Sequence, residues 1–551
     1  GADAFNVAVG NSAGKLMTTG IRNTLVGSLA GDALTSGSYN TALGNGALSS
    51  EDAHGKNVAI GYQALVAQNA GSDAYNVAVG FEAGHDLIQG LQNTLVGGFA
   101  GCKITSAQYN TSLGYQSLAS NLIGDNNTAL GYFALQNFVA DTDGHGNNTA
   151  VGASAMMNAS TGTENTALGN LAMAGGVTTG NSNVALGHGT GYNISSGQDN
   201  TLVGTGTGDS ITSGARNTAV GFAALATENA HGNNTAIGYA ALNTLDADAE
   251  GYNVAIGSNS GKLMTSGVNN SLLGYNSGTA ITTGANNVAL GQGALGANTT
   301  ASDNVAIGVS ALGANVLGAS SIAIGLQSLA QQVPSGATVM HNVGVGQKTG
   351  FAVTTGVQNT LIGGLAGDAL TTGDNNIIIG YAAAAAGVGV DNTTVIGTTA
   401  TTHALVHGLK QPVIAASANV AAAAAFPNSI FNFSDADGAS VTLPDSGDGS
   451  QIGKSYEFIT TVTATSNSHQ IILSDDSNEL FIGNIMKLNT GGTDVTSDIS
   501  LASDTYREIN MNGTTQGGIK GSYIKCTNIA VDLWYVEGRV ICSGTTASSF
   551  N

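Results

Sequence analysis

The chain has 551 residues, with 81 Gly, 4 Pro, 1 Trp, 42% hydrophobic and only 9% charged residues. That apolar share excludes a disordered polar chain, and Gly does not recur at every third place as collagen requires. A net charge of -21, with 14 basic residues scattered along the length, argues against a nucleic-acid partner, whose phosphates call for clustered Lys and Arg.

From the start of the chain the dominant feature is a repeat. A pentapeptide, Asn-[Thr/Val]-[Ala/Leu]-[Val/Ile/Leu]-Gly, first runs from Asn6 to Gly10 and returns, for example, at Asn57–Gly61, Asn127–Gly131, Asn234–Gly238, Asn304–Gly308 and Asn376–Gly380. There are twenty-three copies, the last opening at Thr393; Ser321 and Thr393 stand in for the Asn, and the closing Gly is present in all. Seventeen of the twenty-two intervals are 17 residues and the others are 18, 19 or 21. Each copy is expected to be a short strand and a turn. Places two and four share one face by period-two alternation, and the Ala at place three lets another backbone approach on the opposite face. Gly supplies the freedom a tight corner needs, and the Asn can bond neighbouring backbone and stack as a ladder.

A second short strand is expected after each Gly. Four residues beyond it the slot reads Gly14, Gly31, Leu48, Leu65, Gly84, Gly101, Leu118, Leu135, and later Gly191, Gly208, Leu225, Leu242, Gly261, Gly278, Leu295, Leu312. It is void and filled in pairs, a superperiod of four repeats. Longer polar ends, such as Asp141-Thr-Asp-Gly-His-Gly, read as surface loops at the turns. A repeat this short cannot bury its own apolar face, so stacking must create the core. At about 4.8 Å per layer the stack is on the order of 110 Å long.

Past Gly397 the pentapeptide stops. Residues 398–429 read as a linker or neck, with an Ala-rich stretch from Ala415 to Phe426 that is either a turn or two of helix or an extended segment. From Ile430 to the end, strands alternate with Asp/Gly/Ser turns: Val441-Thr-Leu, Tyr456 to Val462, Gln470-Ile-Ile-Leu, Tyr523-Ile-Lys-Cys, Leu533 to Val536 and Arg539-Val-Ile-Cys. That spacing suits an antiparallel β-sandwich over residues 430–551. Of Cys102, Cys526 and Cys542, free buried thiols are expected, with a Cys526–Cys542 bridge as the alternative.

Asn57-Val-Ala-Ile-Gly, Asn253-Val-Ala-Ile-Gly and Ser321-Ile-Ala-Ile-Gly resemble the head repeats of YadA-like trimeric autotransporter adhesins, over residues 1 to about 400. The resemblance implies a left-handed parallel β-roll with three chains to a head; the period here is longer, and Asn stands where that family often has Ser. Residues from about 410 to 551 resemble the small β domains that end many phage fibres, through Ala439-Ser-Val-Thr-Leu-Pro, Gly453-Lys-Ser-Tyr-Glu-Phe-Ile, Glu479-Leu-Phe-Ile-Gly and Leu533-Trp-Tyr-Val-Glu-Gly. Neither heptads nor terminal barrel strands of an autotransporter appear. The pair of resemblances implies an all-β homotrimeric virion fibre, an extracellular appendage that attaches to a glycan or protein on the host surface. A bacterial trimeric surface adhesin or filament subunit is the alternative. The opening Gly1-Ala-Asp-Ala-Phe-Asn resembles later repeat ends such as Gly71-Ser-Asp-Ala-Tyr-Asn, so the shaft is expected to continue upstream and dock there on other virion proteins.

No enzyme chemistry, cofactor or metal is expected. His403 and His407 are four apart but would occupy separate layers of an extended segment. Asp141-Thr-Asp-Gly and Asp435-Ala-Asp-Gly lack the later ligands of a calcium hand. Gly10-Asn-Ser-Ala-Gly14 and its kin lack the Gly-Lys-Ser/Thr ending of a phosphate loop, since Leu follows Lys15 and Lys262. Glu82, Glu164 and Glu228 come from different repeats and form no pair that could cleave a sugar bond. Thr at place two raises an ice-binding reading, but it fills only about half the copies, and its face is expected to turn inward. Tyr456, Phe458, Phe481, Trp534 and Tyr535 are expected mainly as core, with sugar contact the alternative. No apolar run reaches 18 residues, so no membrane-spanning helix and no membrane insertion are expected.

Overall fold

A computed structural model of the chain describes residues 4–140, 142, 146–246, 249–398, 413–416, 420–421, 430–433, 439–446, 451–461, 463, 469–473, 480–489, 495–500, 508–511, 522–530 and 533–542. Among these, every regular element is a β-strand and none is a helix; accordingly no helix is long and apolar enough to cross a membrane. The chain falls into two compact units, Gly1–Ala404 and Leu405–Asn551.

The first unit is a parallel β-solenoid. Places two to four of each pentapeptide form a three-residue strand, from Val7–Val9 to Thr394–Ile396, and these join into one twenty-three-stranded sheet. Successive strands pair place for place: Val7 with Thr24 and Ala8 with Leu25 at one end, Ile379 with Ile396 at the other. Even the 21-residue intervals keep register, as Thr128 with Thr149 and Ile322 with Val343 show. Extra residues leave at the corners; residues 71–73, for instance, are exposed.

The closing Gly is dictated by the stacking. Gly10, Gly61, Gly131, Gly238, Gly308 and Gly380 have φ between 129° and 140°. A Cβ on Gly10 would overlap the carbonyl oxygen of Gly27 in the next layer, and one on Gly131 that of Gly152. The corner is therefore closed to any side chain by backbone conformation and by the neighbouring coil together.

The second segment of each repeat is not the strand expected of it. Two and four residues past the Gly the backbone is left-handed, as at Gln63 and Leu65, both with φ 52°, a conformation incompatible with a β ladder. Its amides nevertheless bond from layer to layer: Leu48 donates to the Ala64 carbonyl and Leu65 to the Ala83 carbonyl, both at 3.0 Å. Each coil thus has one main strand and a stacked turn, and at one corner Gly318–Ala319 and Thr338–Val339 add a short parallel pair.

Place three faces the interior and is buried in every layer except the first and last. The core is a continuous column of Ala with Leu, Ile and Met set among them. Its superperiod has a packing cause. Where the slot four past the Gly is itself Gly, the space is taken by the residue three further on and by a Leu at place three. Leu25 is the pattern: a Cβ on Gly14 would lie 2.8 Å from its Cδ1 and one on Gly31 2.9 Å from its Cδ2. Leu95, Leu202 and Leu272 fill the later Gly pairs in the same way. Where the slot is Leu, place three reverts to Ala or Ser, and the residue three further on is in most layers a buried polar group (Glu51, Gln68, Asn121, Glu228, Asn298 or Asn315), while after Leu135 and Leu242 it is the buried Phe138 and Leu245.

The second unit packs a seven-stranded sheet on a four-stranded one. Strand directions are mixed, where a purely antiparallel sandwich was expected. Ser455–Thr460, Tyr523–Ala530 and Leu533–Cys542 run antiparallel in sequence, while Ile430–Phe433 joins Ser455–Thr460 in parallel and Leu480–Asn489 joins Leu533–Cys542 in parallel. The parallel pairings within Val413–Ile472 arise because each sheet takes every other strand there. Val413–Ala416 lies beside Ile430–Phe433, and Val420–Ala421 beside Ser440–Thr442. The Ala-rich stretch is extended at those residues, as one of its two readings had it. Alternate residues of Ser455–Thr460 are buried, and Phe431, Tyr456, Phe458, Phe481 and Trp534 of one sheet meet Val441, Ile471, Ile509 and Met511 of the other. Cys526 is a free thiol in that core, its pKa pushed up by burial.

Candidate functional site

The solenoid is held by an internal spine of asparagines. Asn6 Oδ1 accepts the backbone amide of Asn23 at 2.8 Å, and Asn23 Oδ1 that of Asn40 at 2.9 Å. The chain of bonds continues through Asn57, Asn127, Asn234 and Asn304, whose Oδ1 atoms serve Asn76, Asn148, Asn253 and Ser321, breaks at Ser321, whose hydroxyl bonds Gln332, and resumes from Asn342 to end where Asn376 serves Thr393 at 2.9 Å. Most of the Nδ2 groups cap a carbonyl fourteen residues on, as Asn6 does at Gly20 and Asn304 at Gly318. Buried amides must find partners, and most of these Asn side chains supply them both to their own layer and to the neighbour; Asn57 Nδ2 is an exception, buried without a partner.

The opposite strand face is where the molecule is open. Places two and four point away from the coil's core. Leu43, Leu168 and Ile377 remain 45, 44 and 42% exposed, and Leu113, Leu130, Leu273, Leu290, Ile322 and Ile396 are exposed likewise. This corrects the expectation that the Thr face turns inward: Thr94, Thr111 and Thr166 are outward and exposed. At the place after the closing Gly, aromatic side chains add an exposed ladder beside the strands. Tyr62 stacks on Phe81 with centroids 5.0 Å apart, Tyr115 on Tyr132 at 5.8 Å and Phe222 on Tyr239 at 5.5 Å. One more exposed column precedes each Asn, where Arg22 donates to the Tyr39 hydroxyl and Lys56 to that of Tyr75, both at 2.7 Å.

A third feature sits at two corners and was missed in the sequence. Glu51 and Glu228 occupy the same buried place in layers ten repeats apart, and each is followed at i+3 by a His. Glu51 Oε1 accepts the His54 amide at 3.0 Å, and Glu228 Oε1 that of His231 at 3.0 Å. From the next layer, Asp73 accepts the Gly55 amide at 3.0 Å and Glu250 that of Gly232 at 3.1 Å. Burial raises the Glu51 carboxyl above its ordinary pKa, partly offset by the His54 amide. The signal available in the sequence was the recurring Glu-x-x-His-Gly.

The remaining candidates disperse. Glu82 is half-buried and Glu164 exposed, in separate layers, and Glu228 is buried at its corner. Tyr456, Phe458, Phe481 and Trp534 are buried, so none of the four offers a ring to a sugar; Tyr535 is 39% exposed. His403, His407, Asp141 and Asp435 lie outside the described residues.

Comparisons of the chain with protein-family models, with curated proteins and with solved structures returned no match.

Proposed function

We propose that the chain is the subunit of a homotrimeric phage virion fibre, tail or capsid, whose solenoid serves as a stiff spacer and whose C-terminal unit supplies host attachment. The outward apolar face carries this reading. A soluble monomer rarely exposes a contiguous apolar patch beyond a few hundred Å², yet here Val, Leu and Ile line one face of twenty-three stacked strands. Sister chains that clasp along that face would bury it. Three copies, rather than two, follow from the resemblance to trimeric adhesin heads. Trimerisation also multiplies weak contacts to a surface glycan or protein into useful avidity. The function asked of the chain is mechanical and adhesive; it requires no catalytic group, nucleic acid or membrane insertion.

The same face would serve the alternative, a bacterial trimeric adhesin or extracellular filament subunit, and location separates the two. Sedimentation equilibrium of the full chain tests the assembly: a species of three times 54.4 kDa is expected, and a lone monomer with an intact β spectrum would sink it. Electron microscopy of intact particles labelled at residue 551 tests the location; label on fibres supports the virion, and label on bacterial surfaces supports the alternative.

A further inference from the structure

The Glu51 corner holds more polar groups than its fold requires. At equivalent places a short side chain is enough to close the turn: Asn121 Oδ1 accepts the Gly124 amide and its Nδ2 caps the Gly124 carbonyl. Glu51 makes the first of these bonds through Oε1; its Oε2 is buried and makes no hydrogen bond of good geometry, although the Ala70 amide also acts on the carboxylate. Nδ1 of His54 is buried and likewise unpartnered, 3.7 Å from Glu51 Oε1. Asp52 brings a third donor, and one ligand atom from each of Glu51, Asp52 and His54 lies within 4.8 Å of the others. Two polar atoms without hydrogen bonds at one corner, one of them on a fully buried carboxylate, are costly unless something satisfies them.

We propose that Glu51, Asp52 and His54 form a binding site for a divalent transition-metal ion of the zinc class. The donor set is the nitrogen-and-carboxylate mixture such ions take. Donors about 2.1 Å from one zinc ion stand about 3.4 Å apart across a tetrahedral angle, close to the separation between Glu51 and His54. Glu51 Oε1 has a second lone pair free for the metal while it keeps the His54 amide. The corner is open enough on the Asp52 side for water to complete the shell. Asp73 is the nearby second-layer carboxylate, bound to the Gly55 amide and to Lys56 at 2.9 Å, so it stays with its cation. A metal here would tie the corner of the third repeat to the core, independently of how chains assemble. The Glu228 corner provides an internal contrast in one ligand: His231 Nδ1 is likewise buried and unpartnered, 4.0 Å from Glu228 Oε1, but Asn229 replaces the aspartate.

The test uses the full chain stripped of metal and titrated with Zn2+ by calorimetry, then with Co2+ by visible absorption. One equivalent per chain is expected. Its affinity should fall by ~100-fold or more in H54N and in E51Q, and it should be retained in H231N. D52N, at an exposed position, keeps the test valid if E51Q impairs folding. Absence of a stoichiometric equivalent in the parent chain overturns the proposal, and so does uptake unchanged in H54N. A pair that merely shares a proton would show the first of these outcomes.

Discussion

The side chain of Leu25 fills the space above Gly14: a Cβ on that glycine would lie 2.8 Å from Leu25 Cδ1, although the two residues belong to successive layers. Small and large side chains are thereby matched between coils, not only within one. Leu25→Ala should therefore open a cavity between two layers and cost about 2–5 kcal/mol. In chemical denaturation, Gly14→Ala is expected to be less harmful in that background than alone, since one of its two clashes is gone and there remain the flexible Met17 Cε, also 2.8 Å away, and the left-handed backbone at φ 58°. Strictly additive effects would contradict the packing.

The asparagine spine makes its own demand. Asn200 donates Nδ2 to the Gly214 carbonyl at 2.9 Å and accepts the Asn217 amide at 3.0 Å. Asn200→Ala strands both partners, at about 1–3 kcal/mol each. Hydrogen exchange should speed up at the Asn217 amide and its neighbours, while layers far along the stack keep their protection, because each coil contacts only its neighbours.

Charge on the outward face should separate assembly from folding. Leu130→Asp with Leu168→Asp puts two carboxylates among exposed apolar neighbours. We expect the β circular-dichroism spectrum to persist while the sedimenting mass falls to that of one chain. A trimer of undiminished stability would show that sister chains do not cover this face.

Asp86 predicts a small acid sensitivity. Partial burial alone would raise its carboxyl, but bonds from His85 and from Lys103, at 2.9 Å, outweigh it and hold the pKa below the usual value. A depressed carboxylate stabilises the fold above its unfolded pKa, and the contribution disappears as pH drops through the folded one. The group is one-third exposed, so the effect is no more than a few tenths of a kcal/mol after screening. Asp86→Asn should lower the melting temperature slightly at neutral pH and not at all in strong acid. A difference that grows on acidification would contradict the sign.

The order of residues along the chain was enough to reveal the coil, its period, the asparagine spine and the closing Gly, because each rests on local backbone chemistry repeated at fixed spacing. What alternation could not decide was which side of the strand lies inside. The usual guide, that larger apolar residues go inward, fails where the core space is already filled by a Leu from the following turn: Ala42, Ala59 and Ala129 lie inside, while Leu43, Ile60 and Leu130 face outward. The turn after each Gly was also hidden, since Leu48 and Leu65 look like strand residues but adopt left-handed φ that only the stacked layers can impose. The Glu51 corner needed coordinates for the same reason. A glutamate two residues from a run of polar loop letters reads as solvated, and only the next coil, folded across it, removes the water.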